Sequence, residues 1–393
     1  MTTTTRPGPR VGMLVHRHDD RAVSRTIAAL CKSMTALGAH PVLLRVQAGP
    51  RTTDVGAGVQ VVDIGADRKR TATSIPALGR YLRTSALDVV FAHLNGPGRA
   101  ALIARALGRV DIGVVPVEHV HYTTFYRHRH MFQDVLTRTL YPRADRVAGV
   151  SPGVVDELVR LFPRVADKSI VLPSIGPTLD AVASAKRQRI SHPWFSRQRE
   201  HQILVCVANV LPRKGQDVLV RALPFIREAC GDVRLVLIGR PDDQAYARQL
   251  EEAAAALGVG EQVRLTGYLP DPLPYIAQSD ALLLASETEG CPMVLVEAMA
   301  CGRPVVATDC PVGPRFLLSD GRYGQLVPVG DVNAMAAAVI DALCSEHWRG
   351  TVARAAQTHA GTFSPQSVAS QYLSVADRVM QDRWGSPAIA VRR

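Results

Sequence analysis

The chain has 393 residues, enough for two domains with an apolar core in each. At 47% hydrophobic and 21% charged it reads as an ordinary globular protein, which excludes a disordered or fibrous one, and no apolar run is long enough to cross a bilayer. The net charge of +11 is unevenly shared: residues 1–190 hold 27 Lys and Arg against 14 Asp and Glu, residues 191–393 hold 19 against 21.

The N-terminus, MTTTTRPGPR, lacks the apolar core of a secretory signal. Seven cysteines without a Cys-x-x-Cys pair point to free thiols in a reducing cytoplasm. Val11–Val15 reads as the opening strand, with Asp19 and Asp20 as candidate caps of the helix that follows. That helix carries Val23, Ile27, Leu30 and Met34 at helical spacing and ends near Gly38. Strands follow at Pro41–Val46 and Val59–Ile64, then a helix around Ser74–Leu82 and strands at Asp88–Ala92 and Val114–Val117. The mixed aromatic and basic stretch His121–His130 reads as a solvated loop, with an acceptor or a membrane surface as the alternative. Asp167–Leu172 is the last strand of the first domain. Polar, basic and patchily aromatic, Ala181–Gln202 reads as the linker, dividing the chain into domains at 1–190 and 191–364.

The second domain opens on the strand Ile203–Ala208 and continues with strands at Val233–Gly239, Val263–Gly267, Ala281–Ala285 and Val305–Thr308. Asp242-Asp243 resembles a cation-binding pair, but it precedes an Ala-rich helix over Gln244–Leu257 and reads better as its cap. A last helix opens at Ser364-Pro365, reaches about Asp382 and is ended by Gly385. Strands alternating with helices imply an α/β fold with doubly wound parallel sheets, whose ligands sit beyond the C-terminal strand ends.

The stretch Ser286–Pro304 carries the chemistry. Pro292 suits the first helical position, Gly302 the left-handed residue after the helix, and Pro304 blocks continuation. Inside that helix is one charge, Glu297, whose neighbours at helical spacing (Met293, Val294, Ala300, Cys301) cannot pair with it. A lone carboxylate among apolar side chains is costly unless something binds it; the plain alternative is a Glu that emerges into solvent. Glu289 lies eight positions earlier, in the loop. An ionised carboxylate accepts hydrogen bonds from two adjacent hydroxyls. Two of them beside a helix N-terminus, which attracts anions, suit a ligand with both hydroxyls and phosphate, such as a nucleotide sugar.

Glu289, seven residues, Glu297 and then Ala-Met-Ala-Cys-Gly-Arg-Pro-Val-Val-Ala-Thr-Asp-Cys-Pro (298–311) resemble the signature of glycosyltransferase family four, retaining enzymes of the GT-B fold. The resemblance runs through the C-terminal half and, more loosely, into the N-terminal half. It implies two Rossmann-like doubly wound domains facing each other across a cleft, the last helix (365–385) joining the first domain. It implies a donor site on the second: Glu297 on the ribose diol, Lys214 and the amides near Val294 and Leu295 on the phosphates, Tyr268 and Leu269 near the base. Arg213, Gly239 and Gly290 complete the donor-binding set, and Glu289 holds sugar hydroxyls or balances charge at the anomeric carbon. A fixed lysine stabilises the charge gained by a departing nucleoside diphosphate. His119, after the strand Val114–Val117, matches a histidine near the donor sugar; a structural histidine at a strand end is the competing reading. The catalytic candidates are therefore His119, Lys214 and Glu289, with no metal and no cofactor beyond the donor. Three positions depart from the family pattern. The first loop, His16–Arg21, has no glycine pair, leaving Arg17 or Arg21 to supply charge. Asn209 stands where the family has an arginine, with Arg213 or Arg240 to compensate. Phe316 stands near a position where relatives carry Glu.

The expected function is a retaining hexosyltransferase that moves a sugar from a nucleotide-diphosphate sugar, UDP-linked by family habit, to a hydroxyl acceptor. It would work in the cytoplasm or at the inner membrane face. The basic first half suits an anionic or lipid-linked acceptor, or else general solubility; no recognition helix or aromatic platform points to nucleic acid. One rival is a GT-B phosphorylase, hydrolase or epimerase, which would release sugar without an acceptor. Another is a non-catalytic polyanion-binding protein, whose binding would be salt-sensitive.

Overall fold

The computed structural model describes residues 8–16, 22–47, 54–65, 71–125, 130–196 and 198–385. The chain divides into two compact units. One runs to Ile175 and resumes at Pro365; the other is Gly176–Ser364.

In the first unit seven strands alternate with helices: β1 (Arg10–Val15), α1 (Ala22–Ala36), β2 (His40–Arg45), β3 (Gln60–Asp63), α2 (Ile75–Thr84), β4 (Val89–His93), α3 (Asn95–Gly108), β5 (Gly113–Glu118), α4 (Tyr122–Phe125), α5 (His130–Leu140), β6 (Val147–Gly149), α6 (Pro152–Leu161) and β7 (Ser169–Val171). All pair in parallel, in the order β3-β2-β1-β4-β5-β6-β7. The central strands read as continuous apolar runs because helices cover both of their faces; Val89, Val90, Phe91 and Ala92 are all fully buried. Gly38, at φ 82°, follows α1 as its left-handed terminus. The cap roles given to Asp19 and Asp20, and the charges of Arg17 and Arg21, lie outside the described residues. The C-terminal helix Pro365–Trp384 completes this unit. Its Tyr372 packs on Phe91 with ring centroids 4.9 Å apart, and its Val379 comes within 2.5 Å of where a Cβ on Gly113 would stand. Arg383 donates to Asp111 at 2.5 Å and to Asp145 at 2.7 Å.

The second unit contains α7 (Leu179–Arg187), β8 (Gln202–Val207), α8 (Gln216–Cys230), β9 (Val233–Ile238), α9 (Gln244–Ala256), β10 (Val263–Gly267), α10 (Leu273–Gln278), β11 (Ala281–Leu284), α11 (Met293–Ala300), β12 (Val305–Thr308), α12 (Pro314–Leu317), β13 (Gln325–Val327), α13 (Val332–Cys344) and α14 (Ala353–Ala360). Six parallel strands take the order β10-β9-β8-β11-β12-β13. Residues of α8, α9 and α13 fill one side of the sheet, those of α7, α10, α11 and α14 the other. Asp243 caps α9, its carboxylate accepting from the amides of Ala245 and Tyr246 at 3.0 Å each.

Three expectations are corrected. The stretch Ala181–Gln202 is not a linker. The units divide at Gly176, and Val182, Ala185, Ile190, Trp194 and Phe195 are buried in the core of the second unit. Its charges mask an amphipathic helix, α7, whose N-cap Thr178 accepts from Ala181 N–H at 3.1 Å. Pro292 is not the first helical residue: its ψ of 86° is non-helical, and α11 begins at Met293. His121–His130 is not simply a solvated loop. Residues 126–129 lie outside the described residues, but Tyr122 is buried, its hydroxyl donating to Asp134 at 2.9 Å.

Candidate active site

In each sheet the strand order reverses once, and the C-terminal ends flanking that reversal open a crevice for ligands. In the second unit it falls between β8 and β11. The segment after β8 makes a short turn, Pro212–Lys214, ended by Gly215 at φ 63°. A Cβ at Gly215 would stand 2.2 Å from the carbonyl oxygen of Ala285, so only glycine lets this turn lie against the end of β11. The Glu287 amide donates to the Arg213 carbonyl at 2.9 Å, tying the two loops together.

Across that junction Lys214 Nζ donates to Glu289 Oε1. The same oxygen accepts from Ser286 Oγ at 2.6 Å, and the Ser286 carbonyl accepts from Thr308 Oγ1 at 2.6 Å. Both charged side chains are largely withdrawn from water, 13% and 12% exposed. The structure thus brings together two of the three catalytic candidates, 75 positions apart in the chain. Ser286 and Thr308, which the sequence left unassigned, hold the carboxylate in place; a polar residue directly after an apolar strand was the available signal.

The remaining donor candidates surround this junction unequally. Gly239 directly follows β9, and a Cβ there would meet the Ala208 carbonyl oxygen at 1.9 Å, so the position serves close backbone approach. Arg213 and Arg240 are exposed, and the Arg240 guanidinium lies over the Tyr268 ring, 5.3 Å from its centroid. Leu269 packs at the edge of the apolar cluster around α11. Asn209, in place of the family's arginine, donates to Asp242 at 2.7 Å. Gly290 comes close to Gly313, whose φ of 97° admits only glycine comfortably. Phe316 packs edge-on against Phe363 at 6.0 Å, so that position belongs to the apolar layer. Leu295 N–H donates back to the Pro292 carbonyl at 3.0 Å and is not available to a phosphate; Met293 and Val294 remain as first-turn amides without an intrahelical partner. Glu297 is half-buried on the same stripe of α11 as Met293, Val294 and Ala300, while Leu295, Val296, Ala298 and Met299 face the core. Its carboxylate is therefore not immured among apolar side chains, because the helix turns its less buried side there.

In the first unit the reversal lies between β1 and β4, next to β5. His93 ends β4, His119 follows β5, and their rings join through Nδ1 of His93 and Nε2 of His119 at 2.8 Å. Burial lowers the pKa of His119 to about 4 and holds His93 well below its ordinary value, so the pair is neutral near pH 7. Nε2 of His93 is buried without a partner. An unpaired buried N–H is costlier than an unpaired acceptor, so His93 Nδ1–H donates and His119 carries its proton on Nδ1. Beside them Glu118, also buried, accepts from the Tyr141 hydroxyl and from Asn95 Nδ2 at 3.3 Å, and desolvation raises its pKa. Leu94, at φ 74°, links β4 to α3 in a conformation that non-glycine residues rarely adopt. His93, Asn95, Glu118 and Tyr141 were not singled out from the sequence. Among the described residues no group of three His, Cys, Asp or Glu side chains forms a metal-binding cluster, and no helix is long and apolar enough to cross a membrane.

Residues 23–174 match the family described as Glycosyltransferase Family 4, and residues 201–345 the one described as Glycosyl transferases group 1. The phosphatidyl-myo-inositol mannosyltransferase of Mycobacterium leprae (strain TN) is 31% identical over 305 residues, 76% of this chain and 76% of that one. The chain belongs to glycosyltransferase family four. A second relative, the GDP-mannose-dependent alpha-(1-6)-phosphatidylinositol monomannoside mannosyltransferase of Mycolicibacterium smegmatis, is 37% identical over 153 residues, 37% of this chain and 39% of that one. Among solved structures, Anabaena Alr3699/HepE in complex with UDP and glucose matches with a TM-score of 0.72 at 19% identity, over 94% of this chain and 100% of that one. That likeness is one of fold. Two doubly wound Rossmann-like sheets make this a GT-B protein, and as a family-four member it is a glycosyltransferase.

Proposed function

We propose that the protein is a retaining hexosyltransferase that takes a sugar from a UDP-linked donor and attaches it to a hydroxyl of an anionic, lipid-linked acceptor. The observation that carries this reading is the Lys214–Glu289 pair at the strand-order reversal of the second sheet. With no donor bound, each charge neutralises the other. A diphosphate entering beside Lys214 takes over the ammonium, and Glu289 is released to accept hydrogen bonds from sugar hydroxyls. As the bond from the anomeric carbon to phosphate lengthens, the leaving oxygen gains negative charge that Lys214 offsets. The same oxygen takes the proton of the acceptor hydroxyl. Glu297 holds the ribose diol, and the Met293 and Val294 amides at the N-terminus of α11 support the phosphates. No metal is needed in this scheme. The excess of basic residues in positions 1–190 suits a negatively charged acceptor and peripheral contact with a membrane carrying it, on the cytoplasmic side. Relatives named for phosphatidylinositol acceptors support that class of substrate.

The test is to incubate the purified chain with UDP-hexoses or GDP-mannose, with and without a lipid extract, and to follow nucleotide release and the anomeric configuration of the product. UDP release that requires the extract, with the configuration kept, is the expected result. Preference for GDP-mannose, the donor in one relative's name, would replace the nucleotide while leaving the residue roles standing. Free sugar released without acceptor, or an inverted product, would overturn the proposal.

A further inference from the structure

The seven cysteines are unequal. Cys31, Cys206, Cys301 and Cys310 are buried, and burial pushes each thiol up to about 12, so none presents a thiolate to solvent. Cys291 is half-buried with its Sγ against Met293 Sδ at 3.6 Å. Cys230 and Cys344 are different. They are the last residues of α8 and α13, helices packed on the same side of the second sheet. Cys344 is exposed, Cys230 is half-buried, and their Sγ atoms lie 3.2 Å apart. A disulfide needs about 2.05 Å, so the two sulfurs have only about 1 Å further to approach. Gly231, at φ 82°, turns the chain directly after Cys230.

We propose that Cys230 and Cys344 are a modification site: a thiol pair that closes into a reversible intramolecular disulfide when the protein meets a low-molecular-weight disulfide such as oxidised glutathione. The exposed Cys344 reacts first. Its thiolate, having lost a proton to water, attacks one sulfur of oxidised glutathione, and one glutathione leaves as thiolate. Cys230, whose own thiol is held up at about 12 by burial and by its neighbour, loses its proton within the mixed disulfide, attacks the Cys344 sulfur and displaces the second glutathione. Two protein thiols are oxidised, and one glutathione disulfide is reduced to two thiols. The bond closes a loop across 114 positions and ties the far ends of α8 and α13, which restricts the unfolded chain far more than the folded one. Lys214 lies just before the other end of α8. That helix has 15 residues and so spans about 22 Å, which separates the bond from Lys214.

The experiment treats the full chain with oxidised glutathione and reads intact mass, unreduced peptide maps and thermal midpoint. The expected product is lighter by two hydrogens, contains one peptide pair joining Cys230 to Cys344, and melts several degrees higher until dithiothreitol is added. Cys230→Ser should accumulate a glutathione adduct on Cys344, whereas Cys344→Ser should leave Cys230 unmodified. A stable adduct on wild-type Cys344, a crosslink through Cys291, or an unchanged mass would each overturn the proposal.

Discussion

Replacing Lys214 by Met and Glu289 by Gln, singly and together, separates what the ion pair does for the fold from what it does for the reaction. Breaking a fully buried pair by removing one partner costs about 3–5 kcal/mol, because the other charge is left stranded. Here the side chains are 13% and 12% exposed, and Ser286 Oγ still serves the carboxylate in the lysine variant. That partial relief lowers the expected loss to about 2 kcal/mol for each single variant. In the double variant no charge is stranded, so most of the stability should return. Turnover should behave otherwise. Without a fixed cation beside the departing diphosphate, Lys214→Met should lose about 10²–10³-fold in kcat, and adding Glu289→Gln should recover none of it. Urea unfolding of the full chain, followed by circular dichroism, gives the stability cycle, and nucleotide release gives kcat. A double variant as active as the wild-type chain would show that the pair is only a structural tie, and the assignment of the donor site would fail.

Other consequences can be checked as readily. Gly239→Ala, whose methyl would meet the Ala208 carbonyl oxygen at 1.9 Å, should destabilise the second unit by more than about 2 kcal/mol and abolish protection by UDP in a thermal shift; an unshifted midpoint would contradict it. As pH falls below the ordinary histidine value of 6.5, the unfolded chain takes up protons that His93 and His119 refuse in the fold. Stability therefore drops between about 6.5 and 4, by about 3 kcal/mol from His119 alone. Urea midpoints at pH 7 and pH 4.5 measure this, and the drop should shrink in His119→Asn. Tyr141→Phe removes the hydroxyl that donates to buried Glu118 and should cost about 1–3 kcal/mol; a loss below a few tenths would mean the carboxyl finds another donor.

Much of the second unit was legible because its strands are apolar runs and its loops carry residues whose chemistry stands out against them. Glu289 and Lys214 could be named from sequence, but their union could not. It depends on β8 and β11 being neighbours, and the chain places two strands and three helices between those two. Glu297 was misjudged in its surroundings for a related reason: spacing gives the neighbours along a helix, not which of its sides meets the core. The segment after Gly176 misled through composition, since Lys186, Arg187 and Arg189 outweigh the few apolar residues that anchor it. The His93–Asn95–Glu118–Tyr141 cluster was invisible because its members come from the ends of β4 and β5, the start of α3 and the turn after α5.

The docking of Pro365–Trp384 onto the first unit has a bearing on how the chain comes to be folded during its synthesis. Arg383 and Asp111, partners in the finished protein, are 272 positions apart, and Tyr372 and Val379 cover β4 and β5. The unit translated first must therefore wait, with part of its sheet uncovered, until Pro365–Trp384 has been made. The unit translated second is complete by Ser364 and can settle sooner. A ribosome stalled between Ser364 and Trp384 would present a settled second unit and a first one still missing its seal.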